Sequence, residues 1–161
     1  MSETVIRPLR EPAEARLCAA FLSASEPWIT LGITAEMAYE RLMDSTREVH
    51  LAFHEERIAG VLSLFLAGPL NGYIQLLAVA PEFRRRGIGR RLVAFAEDRI
   101  FPHSPNVFLC VSSFNHEAQA LYARLGYERV GELPDFVVKG HSEILLRKTR
   151  GPLLGYPPVS A

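Results

Sequence analysis

The spacing of hydrophobic and polar residues changes period repeatedly along the chain, and each change marks a predicted element. Apolar residues three or four positions apart predict amphipathic helices, whereas short alternating or continuous apolar runs predict strands. We predict helices over residues 11–23, 35–43, 88–100 and 115–125. We predict strands over residues 4–6, 49–53, 58–66, 73–80, 106–111, 127–133 and 142–147. This order of elements indicates a mixed α/β domain with one central sheet.

Two of these elements carry a further expectation about burial. In the first helix, apolar residues recur at helical spacing, and we expect the face that they form to be buried. The strand over residues 73–80 is almost continuously apolar, which is typical of a central strand covered on both faces. The expected buried face of the first helix consists of Ala13, Leu17, Ala20 and Phe21.

Length and composition indicate one domain and restrict its partners. The 161 residues are 48% hydrophobic, which allows one well-buried core. We assign residues 1–150 to the domain and residues 151–161 to an irregular C-terminal tail. The 18 basic and 18 acidic residues cancel, which argues against nucleic acid or an anionic membrane as partner. Since no leader opens the chain and no apolar stretch reaches the roughly 20 residues of a membrane helix, we expect a cytoplasmic protein.

The cysteines and histidines give no sign of a nucleophile or a metal site. Cys18 and Cys110 lie far apart in apolar surroundings, which favours a reducing compartment and two small buried side chains. The five histidines show no metal-ligand spacing such as HExxH, so we predict no metal.

A stretch of arginines and glycines follows the strand over residues 73–80 and leads directly into a helix. We call residues 84–89, Arg-Arg-Arg-Gly-Ile-Gly, the glycine loop. Unpaired backbone N–H groups at a helix start, together with the helix dipole, form a binding site for anions such as phosphate. Five arginines lie within residues 84–91, so the positive charge is local and suits one small polyanion.

Two common nucleotide-binding motifs do not match the glycine loop. A dinucleotide fingerprint needs a third glycine where Leu92 stands. A P-loop needs lysine followed by serine or threonine where Arg90 and Arg91 stand.

The remaining motif resembles the coenzyme A pyrophosphate loop of the GNAT superfamily of N-acetyltransferases. Its pattern, Arg84-x-x-Gly87-x-Gly89, follows a strand that ends in Leu-Ala-Val and precedes Pro81. A second segment also resembles this family, because Asn115 is followed at the family's distance by an Ala-Leu-Tyr run and a Leu-Gly-Tyr turn. That segment contains Ala118, Ala120, Leu121, Tyr122, Leu125, Gly126, Tyr127 and Glu128.

The resemblance implies a fold and an activity. The fold is a single-domain α/β structure with a mixed, mostly antiparallel central sheet of six to seven strands, flanked by four helices and splayed between strands 4 and 5. The activity is acetyl-CoA-dependent transfer of an acetyl group to a primary amine by direct attack. A catalytically degenerate module that binds acyl-CoA as a sensor is the alternative. The expected partners are a small-molecule or peptide amine and a second copy of the chain in a homodimer.

The resemblance also implies which residues hold acetyl-CoA. The backbone of Leu77 and Val79 would bind the pantetheine arm, and Arg84 occupies the first position of the loop motif. Asn115 would reach the pantetheine arm, or it only caps the following helix. The pyrophosphate would bind the backbone N–H groups of Arg86, Gly87, Ile88, Gly89 and Arg90.

The resemblance assigns a catalytic acid but leaves open the group that accepts the proton of the amine. It places Tyr122 near the thioester sulfur as proton donor, whereas helical spacing alone makes Tyr122 a core residue with its hydroxyl satisfied nearby. Many relatives use a glutamate on the fourth strand as base, but Gln75 stands at that position here. A water chain, a backbone carbonyl or another carboxylate such as Glu143 remain as candidates.

The acceptor pocket is expected between the first two helices and the sheet. In this family the first two helices and their connecting loop build the pocket, and here that loop contains Trp28. Trp28 would stack on the substrate or seal the core. Gln75 and Phe136 complete the predicted pocket, whose mouth is partly apolar.

Overall fold

The computed structural model describes residues 3–157, which form seven strands and four α-helices. The strands are β1 (Thr4–Pro8), β2 (Glu48–His54), β3 (Arg57–Phe65), β4 (Tyr73–Val79), β5 (Asn106–Ser112), β6 (Glu128–Pro134) and β7 (Ser142–Thr149). The helices are α1 (Pro12–Ser23), α2 (Ala35–Leu42), α3 (Ile88–Ile100) and α4 (His116–Arg124). Residues 151–157 of the predicted tail contain neither helix nor strand, and residues 158–161 lie outside the described part.

The local signals in the sequence account for these elements. Every predicted helix and strand is present, and its ends differ from the prediction by at most two residues. Thr34 and Asn115 cap α2 and α4, because their side-chain oxygens accept hydrogen bonds from the N–H groups of Met37 and Ala118, both at 3.2 Å. A short 3₁₀ turn, Pro81–Phe83, was not predicted.

The sheet has the order β1-β2-β3-β4-β5-β7-β6 and is antiparallel except between β4 and β5. The parallel pairing of β4 with β5 is limited to Tyr73 opposite Phe108 and Ile74 opposite Leu109. Beyond these pairs the two strands separate, so the edge of β4 over residues 75–79 has no partner on the β5 side. The predicted fold and its splay are confirmed.

Helices cover both faces of the sheet. Apolar residues of α3 and α4 pack with one face in a large core cluster that includes Leu92, Leu109 and Tyr122. Residues of α1 and α2 form a second cluster on the other face, with Leu51 and Val61 of the sheet. None of the helices within residues 3–157 has the length and apolar character needed to cross a membrane.

The predicted buried face of α1 is wrong for three of its four residues, and only Phe21 packs against the core. Ala13, Leu17 and Ala20 are exposed, and the Leu17 side chain is 62% accessible. The buried face instead presents small side chains to α2 and β3, which allows close packing of the helix on both neighbours. The buried residues are Ala15, Cys18, Ala19 and Leu22.

The prediction that β4 is buried on both faces is also wrong. Only Ile74 and Ala78 of this strand are buried. Tyr73, Gln75 and Leu77 are half-buried because they line an open cavity. The continuous apolar run therefore marks a central strand that lies beside a ligand-sized space.

Gly72 precedes β4 at the point where β4 and β5 meet, and we expect Gly72→Ala to destabilise the protein by about 2–4 kcal/mol. Its φ is +85°, and an added Cβ would lie against Ile100 Cγ2 and 2.6 Å from the Asn106 carbonyl oxygen. Overpacking costs about 1–3 kcal/mol and a positive φ roughly 1 kcal/mol more. Urea unfolding monitored by circular dichroism would measure the loss.

Gly140→Ala is the matched control for this prediction. Gly140 has a φ of +90°, but an added Cβ would meet no atom within 4 Å. We therefore expect a loss of only about 1 kcal/mol, from backbone strain alone. Equal losses in the two variants would show that steric contact at Gly72 contributes nothing.

Candidate active site

A cavity of about 1020 Å³ runs through the opening between β4 and β5. Its lining includes the α1–α2 loop on one side of the sheet and α4 on the other. The depth of the cavity follows from the splay, because two fully paired strands would close the sheet at this point. Seven candidate residues from the sequence line the cavity: Trp28, Gln75, Leu77, Asn115, Tyr122, Phe136 and Glu143.

The glycine loop lies between β4 and α3, outside the lining of this cavity. Gly87 has a φ of +78° and immediately precedes α3, and Arg85 also has a positive φ of 64°. Within residues 3–157, the backbone N–H groups of residues 87–90 have no hydrogen-bond acceptor. Four N–H donors and the positive end of a 13-residue helix therefore point to one place, which suits a phosphate group.

The loop arginines are partly engaged with the protein. Arg84 Nε donates to the Val79 carbonyl oxygen at 3.4 Å, and the Arg86 guanidinium lies 5.7 Å from the centre of the Phe83 ring. Arg85 lies 3.7 Å from a Glu117 carboxylate oxygen, and both side chains are exposed. Each of these three arginine side chains therefore has a contact within the domain.

Gly89 faces the gap between β4 and α4. A Cβ added at this position would lie 3.7 Å from Val79 Cγ2 and 3.6 Å from Leu121 Cδ2. These are ordinary contact distances, so a methyl group fits there and a longer side chain would extend into the gap.

Tyr122 is buried in the core and also lines the cavity. Its ring is buried and packs edge-to-face on Tyr127 at a centroid distance of 5.6 Å. Within residues 3–157 its hydroxyl has no hydrogen-bond partner, although the residue lines the cavity. Burial raises the pKa of the Tyr122 phenol, so the hydroxyl is protonated at neutral pH. The expectation that a nearby group satisfies this hydroxyl is wrong.

Asn115 is the N-cap of α4, as one of its two predicted roles requires. The cap uses its side-chain oxygen, which accepts from the Ala118 N–H group. The side-chain NH₂ group is left for another partner, and Asn115 lines the cavity. Capping and ligand contact are therefore compatible in this residue.

Polar side chains of three strands meet inside the cavity. Ser112 on β5 lies opposite Glu143 on β7, and the serine hydroxyl donates to Glu143 Oε1 at 2.7 Å. Burial raises the pKa of the Glu143 carboxyl, and the Ser112 hydrogen bond opposes this only in part. Tyr73 and Cys110 lie beside each other on the same face, and burial raises both of their pKa values.

Sequence reasoning missed most of this polar cluster. Glu143 was a candidate base, but Tyr73 and Ser112 were not predicted as site residues. Cys18 is buried as expected, whereas Cys110 is only half-buried because it lines the cavity. The two-residue spacing of Cys110 and Ser112 places them on one face of β5, and only the pairing with β7 brings Glu143 to that face.

Aromatic residues and ion pairs surround the mouth of the cavity. Trp28 is half-buried, and it both packs on the α1–α2 core cluster and lines the cavity. Phe136 is 59% accessible. Arg47 lies 3.6 Å from an Asp44 carboxylate oxygen and stacks over the Phe65 ring at 4.3 Å. In residues 3–157, no cluster of histidine, cysteine or acidic side chains has the arrangement of a metal site.

Comparison with curated proteins finds relatives in two mycobacteria. An uncharacterized protein of Mycobacterium leprae is 29% identical over 154 residues, which cover 91% of this chain and 41% of that protein. The N-alpha-acetyltransferase RimI of Mycobacterium tuberculosis is 37% identical over 73 residues, which cover 45% of each protein. The chain thus spans less than half the length of these curated relatives.

Solved structures share the fold. A structure from Desulfovibrio desulfuricans assigned to the GNAT family superimposes with a TM-score of 0.76 at 21% identity, over 91% of this chain and 99% of that chain. An aminoglycoside 6'-N-acetyltransferase complexed with coenzyme A gives a TM-score of 0.73 at 17% identity, over 92% and 98%. The model of the acetyltransferase (GNAT) family matches residues 15–127. This chain therefore belongs to the acetyltransferase (GNAT) family.

Proposed function

We propose that the protein transfers the acetyl group of acetyl-CoA to a primary amine. The observation that carries the proposal is the set of free backbone N–H groups of residues 87–90 beside the unpaired edge of β4. This combination offers hydrogen-bond donors for a pyrophosphate and an open strand edge for an amide-containing arm. A structural neighbour was solved in complex with coenzyme A, which supports the same ligand here.

The cofactor-binding residues follow from these positions. The N–H groups of the glycine loop and the start of α3 hold the pyrophosphate, and the loop arginines add positive charge. The backbone of Leu77 and Val79 and the NH₂ group of Asn115 hold the pantetheine arm. The pyrophosphate site consists of Arg84, Arg86, Gly87, Ile88, Gly89 and Arg90.

Tyr122 donates the proton to the leaving thiolate. Its raised pKa keeps it protonated, and its hydroxyl has no competing partner among the described residues. The amine attacks the thioester directly, without a covalent enzyme intermediate. Cys110 is the thiol in the cavity, and burial raises its pKa, which disfavours the thiolate needed for a nucleophile.

An amine is the acceptor class that the relatives favour. RimI is named for acetylation of an α-amine, and the neighbour bound to coenzyme A is named for an aminoglycoside. The aromatic side chains of Trp28 and Phe136 and the amide of Gln75 would contact the acceptor. A cytoplasmic location and a homodimer stay predictions.

Thiol release from acetyl-CoA, measured across a panel of amines and peptides, tests the proposed function. We expect release that requires an acceptor, with an acetylated amine detected by mass spectrometry. A burst of thiol without acceptor would contradict direct attack. Coenzyme A binding without turnover on any acceptor would instead favour the acyl-CoA sensor. That alternative is supported by Gln75, which stands where many relatives have a glutamate.

A further inference from the structure

We propose that the acceptor binds with its ammonium group at the Glu143 carboxylate, and that this subsite selects amines with one positive charge and an apolar body. The inference rests on the acetyl-transfer function proposed above. It adds the group that receives the amine and the chemical class of the substrate.

The Glu143 carboxyl group is buried and has no cationic partner in the described part of the chain. The residue is only 6% accessible and lines the cavity from β7. Ser112 holds Oε1, whereas the other carboxylate oxygen has no hydrogen-bond partner among residues 3–157. In the same part of the chain, no basic side chain lies within ion-pair distance of Glu143. Because burial disfavours an unpaired carboxylate, a cationic ligand at this position would stabilise the charged form of Glu143.

The groups that face Glu143 are neutral near pH 7. Tyr73 on β4 and Cys110 on β5 both interact with Glu143, and burial raises the pKa of each. Tyr122 of α4, elsewhere in the cavity lining, also has a pKa raised by burial. On β6 the residue paired with Glu143 is Leu133, which has no charge. The raised pKa of Glu143 itself makes this carboxylate a better proton acceptor than an exposed glutamate.

The charges at the rest of the cavity argue against a polycation. Besides Glu143, the charged lining residues are Arg41, Asp44 and Arg47. Asp44 already holds Arg47 at 3.6 Å and accepts hydrogen bonds from Thr46. A second ammonium group would therefore meet arginines and no unpaired carboxylate.

The remaining lining favours an apolar body on the acceptor. Trp28 and Leu31 of the α1–α2 loop, Phe65 and Leu70 around the start of β4, and Phe136 before β7 contribute large apolar surfaces. An amine with an aromatic or aliphatic group beside its single charge would bury that group against them. Arylalkylamines and peptides with an apolar N-terminal residue both have this chemistry.

The reaction at this subsite balances as follows. The ammonium loses one proton to Glu143, and the neutral nitrogen forms a bond to the acetyl carbonyl carbon. The bond between that carbon and the sulfur breaks, and the sulfur leaves with the Tyr122 proton. Tyr122 then regains a proton from the nitrogen, and Glu143 releases its proton to solvent.

Calorimetric binding to the protein saturated with coenzyme A tests the subsite without turnover. The probes are 2-phenylethylamine, a dipeptide amide that begins with phenylalanine, and spermidine. We expect at least one monoamine to bind about tenfold or more tightly than spermidine. Glu143→Gln should weaken monoamine binding by about 30-fold or more, because the neutral amide keeps the Ser112 hydrogen bond but loses the charge. Tighter binding of 2-phenylethylamine would indicate a small-molecule acceptor, and tighter binding of the dipeptide amide would indicate a peptide N-terminus.

Two controls separate this inference from folding and from the proposed function. Glu128→Gln removes an exposed carboxylate on β6 and should leave monoamine binding unchanged. Coenzyme A affinity should be the same in the wild type, in Glu143→Gln and in Glu128→Gln. This result would show that the cavity is folded in both variants. Undiminished monoamine binding in Glu143→Gln, no monoamine binding to the wild type, or equal binding of spermidine would each overturn the inference. Glu143-dependent binding without thiol release from acetyl-CoA would support the subsite and refute acetyl transfer.

Discussion

Gly89→Glu is expected to weaken coenzyme A binding by about 100-fold or more while the protein stays folded. A side chain at this position extends from α3 into the gap between Val79 and Leu121. A glutamate would occupy the space beside the free N–H groups and place a negative charge near a pyrophosphate. A 100-fold loss corresponds to about 2.7 kcal/mol of binding free energy. Steric exclusion, together with repulsion between the partly solvated carboxylate and the pyrophosphate, can account for a loss of this size. Isothermal titration calorimetry with coenzyme A would measure it.

Gly89→Ala is the matched control. Its methyl group would make only ordinary contacts, at 3.6 Å and 3.7 Å, so coenzyme A affinity should stay within about threefold of wild type. The alanine should also raise the free energy of unfolding by about 0.5–1 kcal/mol, because glycine weakens a helix. Wild-type affinity in the glutamate variant would mean that the glycine loop does not hold the coenzyme.

Tyr122→Phe is expected to lower kcat by about 100-fold with little change in coenzyme A affinity. The hydroxyl is the proposed proton donor, and removal of a general acid typically costs 10²- to 10⁴-fold, of which we expect about the lower limit. Stability should change by less than about 1 kcal/mol, since the hydroxyl makes no hydrogen bond within residues 3–157 and no group is left unpaired. Steady-state kinetics and thermal unfolding would measure the two quantities.

Tyr127, which packs on Tyr122, is expected to affect stability and not turnover. The Tyr127 hydroxyl donates to Glu97 Oε1 at 3.1 Å, and Glu97 also binds Lys148. Tyr127→Phe should lower the free energy of unfolding by about 1–2 kcal/mol and leave kcat within about twofold. If Tyr122→Phe retains full turnover, Tyr122 is a core residue and another group protonates the thiolate.

The partial burial of β4 shows why burial was harder to predict than the strand itself. An apolar run of this length between two turn signals favours a strand, but it does not distinguish packing against protein from exposure to a cavity. The same limit applies to α1, whose two faces both carry apolar side chains. Packing on α2 and β3 selected the face with Ala15 and Cys18, because small side chains allow the closer approach.

The candidate active-site residues also divide into those that local sequence predicts and those that only the fold brings together. Arg84, Gly87 and Gly89 were predicted because a loop with unpaired N–H groups at a helix start is encoded by neighbouring residues. Tyr73, Ser112 and Glu143 are separated by more than 30 residues from one another, and no local pattern links them. Their meeting depends on the register in which β5 pairs with β7 and on the splay of β4 from β5.

The sequence by itself determined the order and limits of the helices and strands, the caps of α2 and α4, the glycine loop and the resemblance to the family. Each of these depends on interactions between residues close in the chain, such as capping hydrogen bonds and the positive φ of Gly87. Only the tertiary structure decided which face of α1 is buried, that β4 lies beside a cavity, and that Glu143 lies there with no basic side chain of residues 3–157 to pair with. These features arise from strand pairing and packing between distant segments, where many arrangements satisfy the same local pattern.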